Sequence, residues 1–210
     1  LLTTCGLTYM GAPCVDQGKP LGLHGRISNT AASDVCISQQ WLDDETYAIE
    51  IKGKMSESIV FGDNMVLSRT IKTVMGDNRI YIQDEVENAG FEVTPLMLLY
   101  HVNFGYPLIS EHTVMQTNCA NLRARDDEAL KGIENWNTFE KPQHGYNEQV
   151  FYRDAAGKSF ASLINNALKL RADVNFSGDQ LPYLIEWKQV GEQDYVVGIE
   201  PATWYPEGRA

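Results

Sequence analysis

The clearest indication of the fold class is the stretch RIYIQDEVENAGFEVTPLMLLYHVNF, residues 79–104. In residues 79–87, apolar side chains alternate with Gln and Glu, and this period of two predicts a strand with one apolar face. Asn88-Ala89-Gly90 supplies a turn. Residues 94–104 are apolar on both faces, which predicts a strand covered on both sides. A helix is the alternative for such a run, but Pro95 makes it a poor one.

The same period of two extends towards the N-terminus. Residues 47–60 alternate Tyr, Ile and Ile with Ala, Glu and Lys, and we predict a half-buried strand there. Residues 65–75 form the next predicted strand. Gly76-Asp77-Asn78 then provides the turn of a hairpin into residues 79–87.

Towards the C-terminus, residues 110–145 are polar, and we predict them to be irregular with one helical turn at Asp126–Gly132. Strands are predicted to resume after them at residues 148–153, 159–164, 167–176, 183–188 and 194–200. No repeat or linker divides the chain. The sequence therefore predicts an all-β protein with one domain over residues 1–210, either a sandwich or a barrel.

Composition restricts the classes of function. The 210 residues are 43% apolar, and 28 acidic against 17 basic residues give a net charge of −11, which argues against a nucleic-acid partner. The sequence has no apolar run of about 18 residues, so we predict no membrane span. The four cysteines lack C-x-x-C spacing, and we expect them to be reduced in a cytoplasmic protein. The chain begins at Leu1 without Met, so the lack of a signal peptide indicates nothing.

His101 and Glu200 are the leading candidates for chemistry. His101 shares a strand face with Leu99 and Asn103, and it is either a neutral core histidine or a proton donor lining a cleft. Glu200 ends the last predicted strand. Gly198, two residues earlier on the same face, leaves space beside the carboxylate, although a solvated strand-end Glu is the alternative.

Three further features are candidates for ligand binding. His24-Gly25-Arg26 and His144-Gly145 each place a histidine next to glycine, which permits a close approach, and a surface turn is the alternative. Glu186 is a second strand carboxylate, and Trp187 is either core or a platform for a sugar ring. His101-Val102-Asn103 has Asn where a cupin-type metal site needs its second His. We therefore predict no metal centre.

Four short motifs together resemble the aldose 1-epimerases. They are Val86–Gly90 with Leu98–Phe104, Gly198–Pro201, Leu23–Gly25, and Gly145–Val150, which is similar to that family's G-Y-D motif. They occur in the order found in that family. The sequence is similar in particular to the DUF4432 branch of this galactose mutarotase-like superfamily, from about residue 1 to residue 205.

The resemblance implies a galactose mutarotase-like supersandwich of antiparallel strands. It also implies interconversion of sugar anomers by acid–base ring opening, with His101 and Glu200 as the catalytic pair and no metal or organic cofactor. Implied sugar-binding residues are His24, Arg26, Asn103, His144, Asn147 and Trp187. Asn147 stands where the family has Asp, so it cannot act as an ionised carboxylate.

The resemblance also bears on the length of the chain and on its partners. Family members begin with strands that precede Leu1, so we expect the chain to lack N-terminal strands. We expect a small-molecule sugar as partner, no nucleic acid and no membrane, and we leave a homo-oligomer open. A carbohydrate-binding protein without turnover, or another sugar isomerase or lyase on the same fold, is the alternative.

Overall fold

The computed structural model describes residues 2–209, which form antiparallel strands with very little helix. In chain order the strands are β1 (Leu2–Cys5), β2 (Cys14–Asp16), β3 (Lys19–Leu21), β4 (Ser33–Trp41), β5 (Tyr47–Ser58), β6 (Asn64–Val74), β7 (Tyr81–Asn88), β8 (Leu99–Gly105), β9 (Thr113–Thr117), β10 (Ala120–Ala124), β11 (Gln149–Asp154), β12 (Lys158–Asn165), β13 (Leu170–Ser177), β14 (Tyr183–Val190) and β15 (Tyr195–Ala202). The helical segments are α1 (Asp127–Lys131) and 3-10 turns at Ile27–Asn29 and Ile133–Asn135. Among these residues, no helix has the length and apolar character needed to cross a bilayer.

A six-stranded antiparallel sheet forms the centre of the molecule, in the order β1-β8-β15-β14-β11-β10. The chain-distant strands β8 and β15 are neighbours in it, with Val102 opposite Ile199 and Asn103 opposite Gly198. Because side chains alternate along a strand, every second residue of these strands faces the same side of the sheet.

The two faces of this sheet are covered differently. On one face, the three-stranded sheet β13-β12-β9 packs over a core that includes Leu163, Leu184 and Ile199. On the other face, the segment between β1 and β3 packs Tyr9 and Met10 into a second core. The candidate catalytic side chains lie on this second face.

The remaining large element is a four-stranded sheet, β4-β5-β6-β7, which packs against the rest of the molecule through one end. Met65 and Leu67 contact Leu7 and Leu98 there. Arg69 connects the two sheets, since its guanidinium donates to Asp84 and, at 2.8 Å, to Thr4 of β1.

Most of the strand predictions are confirmed, but two stretches were wrong. The C-terminal strands, the hairpin around Gly76 and the helical turn are present, and the Asp126 side chain caps that turn by accepting from the Ala129 amide at 2.9 Å. Only the second half of residues 94–104 is strand, and residues 110–145, predicted to be irregular, contain β9 and β10. The segment around Gln116 shows no alternation of apolar and polar residues. Both it and the segment around Arg123 are extended because they pair with neighbouring strands.

The half-burial predicted for residues 47–60 holds only in part, because several apolar side chains of this four-stranded sheet are exposed. Ile37, Ile51, Ile71 and Ile82 lie opposite one another across the four-stranded sheet, and three of the four are exposed. Alternation identifies the apolar face of a strand, but it does not show whether another layer covers that face.

Candidate functional site

The site centres on His101 of β8 and Glu200 of β15, which meet on one face of the six-stranded sheet. His101 Nε2 lies 3.0 Å from Glu200 Oε1, and the two side chains are 14% and 4% exposed. The β8–β15 ladder pairs Ile199 with Val102 and Ala202 with Leu99, with no pair between them. Pro201, which has no amide hydrogen to donate, lies in this gap. The pair is therefore held by two central strands at an interruption of their ladder.

Gly198 makes room for this pair. It precedes Glu200 by two residues and shares its face of β15. A Cβ on Gly198 would overlap Glu200 Oε1 and lie 2.9 Å from His101 Cε1. The space predicted beside the carboxylate from the sequence is present, and any larger residue at this position would displace the pair.

His24 reaches the site from the segment that covers this face. Its ring lies edge-on to His101, with 5.7 Å between ring centroids. His24 has a left-handed φ of 60°, and its amide donates to the Gly11 carbonyl at 2.8 Å. A Cβ on Gly25 would overlap the carbonyl oxygens of Tyr9 and Gly6, so this loop passes very close to the backbone beneath it. Burial lowers the pKa of His24, and the neighbouring His101 lowers it further.

Trp187 of β14 forms another wall of the site. The indole lies edge-on to His101 with 5.6 Å between ring centroids, and it is opposite Gly198 in the β14–β15 ladder. Its Nε1 donates to Glu148 Oε2 at 2.6 Å, and Glu148 Oε1 accepts from Arg125 Nη1 at 2.9 Å.

Glu148 and Arg125 also belong to this region, and neither was predicted from the sequence as a site residue. A signal for Glu148 was present, because it precedes Val150 by two residues and Val150 belongs to the core on this face. Arg125 gave no such signal, since its contact with Glu148 joins positions 23 residues apart in a stretch without a strand pattern.

Three buried polar atoms of the site lack a hydrogen-bond partner among residues 2–209: His24 Nδ1, His101 Nδ1 and Glu200 Oε1. The close approach of His101 and Glu200 therefore has the distance of an ion pair but not the alignment of a hydrogen bond. Buried polar groups are rarely left unpaired. Unpaired groups of this kind suit a ligand that offers several hydroxyl groups, because a hydroxyl both donates and accepts.

Two other predicted binding residues belong to the same strand or loop as these side chains. Asn103 shares the face of His101, and its Nδ2 donates to the His101 carbonyl at 3.4 Å. Arg26 follows His24 in the covering loop, where its amide donates to the Gly6 carbonyl at 2.9 Å.

The structure places His144 and Asn147 elsewhere. Both line a cavity of about 330 Å³ together with Glu140 and Gln149. Along β11, Gln149 points to the opposite face from Val150, which packs on the His101 side. The His144 side chain is 94% exposed, and its Nδ1 lies 3.1 Å from Glu192 Oε2.

Glu186 also faces away from the site, because it alternates with Trp187 along β14. It is fully buried beside Arg153, with 3.4 Å between Oε2 and Nη1. Burial raises the pKa of Glu186 to about 7. Within residues 2–209, no group of three or more His, Cys, Asp or Glu side chains is arranged to hold a metal ion.

Comparison with known proteins connects this geometry to a family. The family model of DUF4432, a domain of unknown function, matches residues 1–210. The chain is similar to the solved structure of a candidate aldose 1-epimerase from Klebsiella pneumoniae, with 28% identity and a TM-score of 0.92, over 98% of this chain and 54% of that one. A galactose mutarotase related enzyme from Lactobacillus acidophilus shares the fold at 15% identity and a TM-score of 0.60, over 96% of this chain and 70% of that one. No curated protein matches the chain.

These likenesses confirm the predicted all-β, galactose mutarotase-like fold. The chain spans about half of the Klebsiella protein, 54% of its length. The DUF4432 model, in contrast, covers the sequence from end to end. The chain therefore belongs to the DUF4432 family.

Proposed function

We propose that this chain carries the acid–base centre of a sugar 1-epimerase-like protein, which interconverts the anomers of an aldose. The observation that carries the proposal is the buried His101–Glu200 pair, 3.0 Å apart and with unpaired polar atoms on both side chains. The similarity in sequence and fold to the candidate aldose 1-epimerase from Klebsiella pneumoniae supports it.

In the proposed reaction, Glu200 removes the proton from the C1 hydroxyl while His101 donates a proton to the ring oxygen. The C1–O5 bond breaks, and the electron pair of the C1 oxygen forms the aldehyde. Rotation about C1–C2 presents the other face of the carbonyl. The ring hydroxyl then attacks C1 and returns its proton to His101, while Glu200 protonates the new C1 oxygen. Each acid or base placed in this way contributes roughly 10²–10⁴-fold to the rate.

The remaining side chains of the site orient the sugar in this proposal. His24, Arg26 and Asn103 hydrogen-bond to hydroxyl groups, and the indole of Trp187 contacts the apolar face of the ring. The lowered pKa of His24 suits it to this role, because a neutral imidazole both donates and accepts. We assign no role to His144 and Asn147, which line the separate cavity.

The test is anomer exchange measured by proton NMR over a panel of aldoses, with Glu200→Gln and His101→Ala beside the unaltered protein. We expect exchange above the uncatalysed rate, reduced by roughly 10²–10⁴-fold in either variant without unfolding. Full activity in both variants would exclude this pair as the catalytic centre. Binding of sugars without faster exchange would instead indicate a carbohydrate-binding protein or another sugar chemistry on the same fold.

The proposed partner is a small-molecule sugar, and the proposed place of action is the cytoplasm. All four cysteines are free thiols in the structure, and they are distributed from the core to the surface.

A further inference from the structure

The indole of Trp187 lies on the central sheet next to a position that has no side chain. Its ladder partner on β15 is Gly198, which has no side chain, and its partner on β11 is Val150. Gly198 therefore offers the indole no side-chain contact from β15. An additional contact is needed to fix the plane of the ring relative to His101.

That contact is the carboxylate of Glu148. The hydrogen bond from Trp187 Nε1 to Glu148 Oε2 is 2.6 Å long, which is short for an N–H donor and is typical of a charged acceptor. The other carboxylate oxygen accepts from Arg125 Nη1 at 2.9 Å, so Glu148 is held from two sides. Arg125 is fixed in turn, since its Nε donates to Asp126 Oδ2 at 2.7 Å.

We propose that Glu148 is a positioning residue, which acts through the indole of Trp187 and thereby determines how tightly the site binds its sugar. This inference rests on the proposed function, because it assigns the sugar to the face of Trp187. In this proposal the carboxylate acts through the indole and makes no contact with the reacting atoms. Its effect is to keep the indole edge-on to His101, at the observed centroid distance of 5.6 Å.

The expected consequence is a change in binding rather than in chemistry. A ring platform contacts the sugar equally in its ground state and its transition state, so a displaced platform raises KM and leaves kcat nearly unchanged. We expect Glu148→Ala to raise KM about tenfold, which corresponds to a loss of about 1.4 kcal/mol of binding. Glu148→Gln keeps an amide oxygen that accepts from the indole, so it is expected to recover most of this loss.

The test combines sugar kinetics with a direct observation of the indole. Protein labelled with ¹⁵N-indole tryptophan gives four side-chain N–H signals, one for each Trp, and Trp187→Phe identifies the relevant one. We expect the Trp187 signal to be shifted downfield by the short bond to the carboxylate. Glu148→Ala should move it upfield, and Glu148→Gln should leave it between the two.

The matched control is Glu50→Ala. Glu50 is also a paired carboxylate, bound to Lys52 at 2.8 Å and Lys72 at 2.7 Å, but it lies on the four-stranded sheet. Glu50→Ala should change neither KM nor the Trp187 signal. An unchanged Trp187 signal in Glu148→Ala, or an unchanged KM with a lowered kcat, would overturn the proposal.

The two proposals fail in different ways. If the unaltered protein accelerates no anomer exchange, the proposed reaction is wrong. The role of Glu148 is then tested in two ways. One is the position of the Trp187 N–H signal, and the other is the dissociation constant of each sugar, obtained by titrating the sugar and following that signal. Equal sugar affinity in Glu148→Ala and the unaltered protein would overturn the inference in that case as well.

Discussion

Replacing Gly198 with alanine adds one methyl group at the most crowded point of the site. The new Cβ would overlap Glu200 Oε1 and lie 2.9 Å from His101 Cε1. The conformation of the backbone is not the obstacle, because Gly198 is not among the residues with a left-handed φ. The obstacle is the pair itself, since both side chains are nearly enclosed and cannot simply turn into solvent.

The size of the effect follows from these contacts. Overpacking a buried site by one methyl group costs about 1–3 kcal/mol of stability. Removing a glycine from a strand returns about 0.5–1 kcal/mol through the unfolded chain, so the net loss is at most about 2.5 kcal/mol. The effect on turnover should be larger, because a displacement of about 1 Å in a catalytic group can cost roughly 10²-fold in rate.

The assay is anomer exchange by proton NMR, together with urea unfolding of the same samples. The control is Gly53→Ala on β5, where the nearest neighbour of the new Cβ would be Ala32 Cβ at 3.4 Å, an ordinary contact. We expect the control to keep its activity and the Gly198→Ala protein to lose about two orders of magnitude in kcat. A Gly198→Ala protein with unaltered exchange rate and unfolding midpoint would refute the reasoning.

Two further predictions concern stability. Burial raises the pKa of Glu186 from its ordinary 4.5 to about 7, so the folded state binds this proton more tightly and stability falls as pH rises between these values. In the unaltered protein, the free energy of unfolding measured with urea should fall by about 3 kcal/mol between pH 4.5 and pH 7 because of this group, and Glu186→Gln should not show that fall. An identical pH dependence in both proteins would contradict the prediction. Glu57→Ala should lower the free energy of unfolding by about 1–3 kcal/mol, because the buried carboxylate accepts from the Leu7 amide and the Thr8 hydroxyl, both at 2.8 Å, and the amide would be left unpaired. Urea unfolding measures this loss, and the control is Glu45→Ala, which changes a side chain in an exposed loop. Equal stabilities of the two variants would show that the Glu57 carboxylate does not stabilise the segment around Leu7 and Thr8.

The amino-acid sequence predicts the parts of this structure that depend on local periodicity. Alternation along β8 and β15 places His101 and Glu200 each on a definite face, and Gly198 indicates the space beside them. That both side chains lie on one face, 3.0 Å apart, depends on the pairing of β8 with β15, which are distant in the chain. Resemblance to a family, rather than periodicity, predicts that the two residues act together.

Contacts between distant segments explain what the sequence did not predict. Arg125 and Glu148 meet only because β10 and β11 are neighbours in the sheet. The path of the loop before β11 places His144 and Asn147 in a cavity away from His101 and Glu200, and nothing in the local sequence predicts that path. Likewise, the exposed isoleucines of the four-stranded sheet have the same pattern as buried ones.

The site is built from two kinds of support, and this difference has an evolutionary consequence. His101 and Glu200 are fixed by central strands of the six-stranded sheet, whereas His24 belongs to a loop attached through turns and close backbone approaches. Loops accept substitutions and changes of length more readily than central strands do. Under the proposed function, the pair would keep the reaction constant while the covering loop diverges, so new sugar preferences would arise without rebuilding His101 and Glu200.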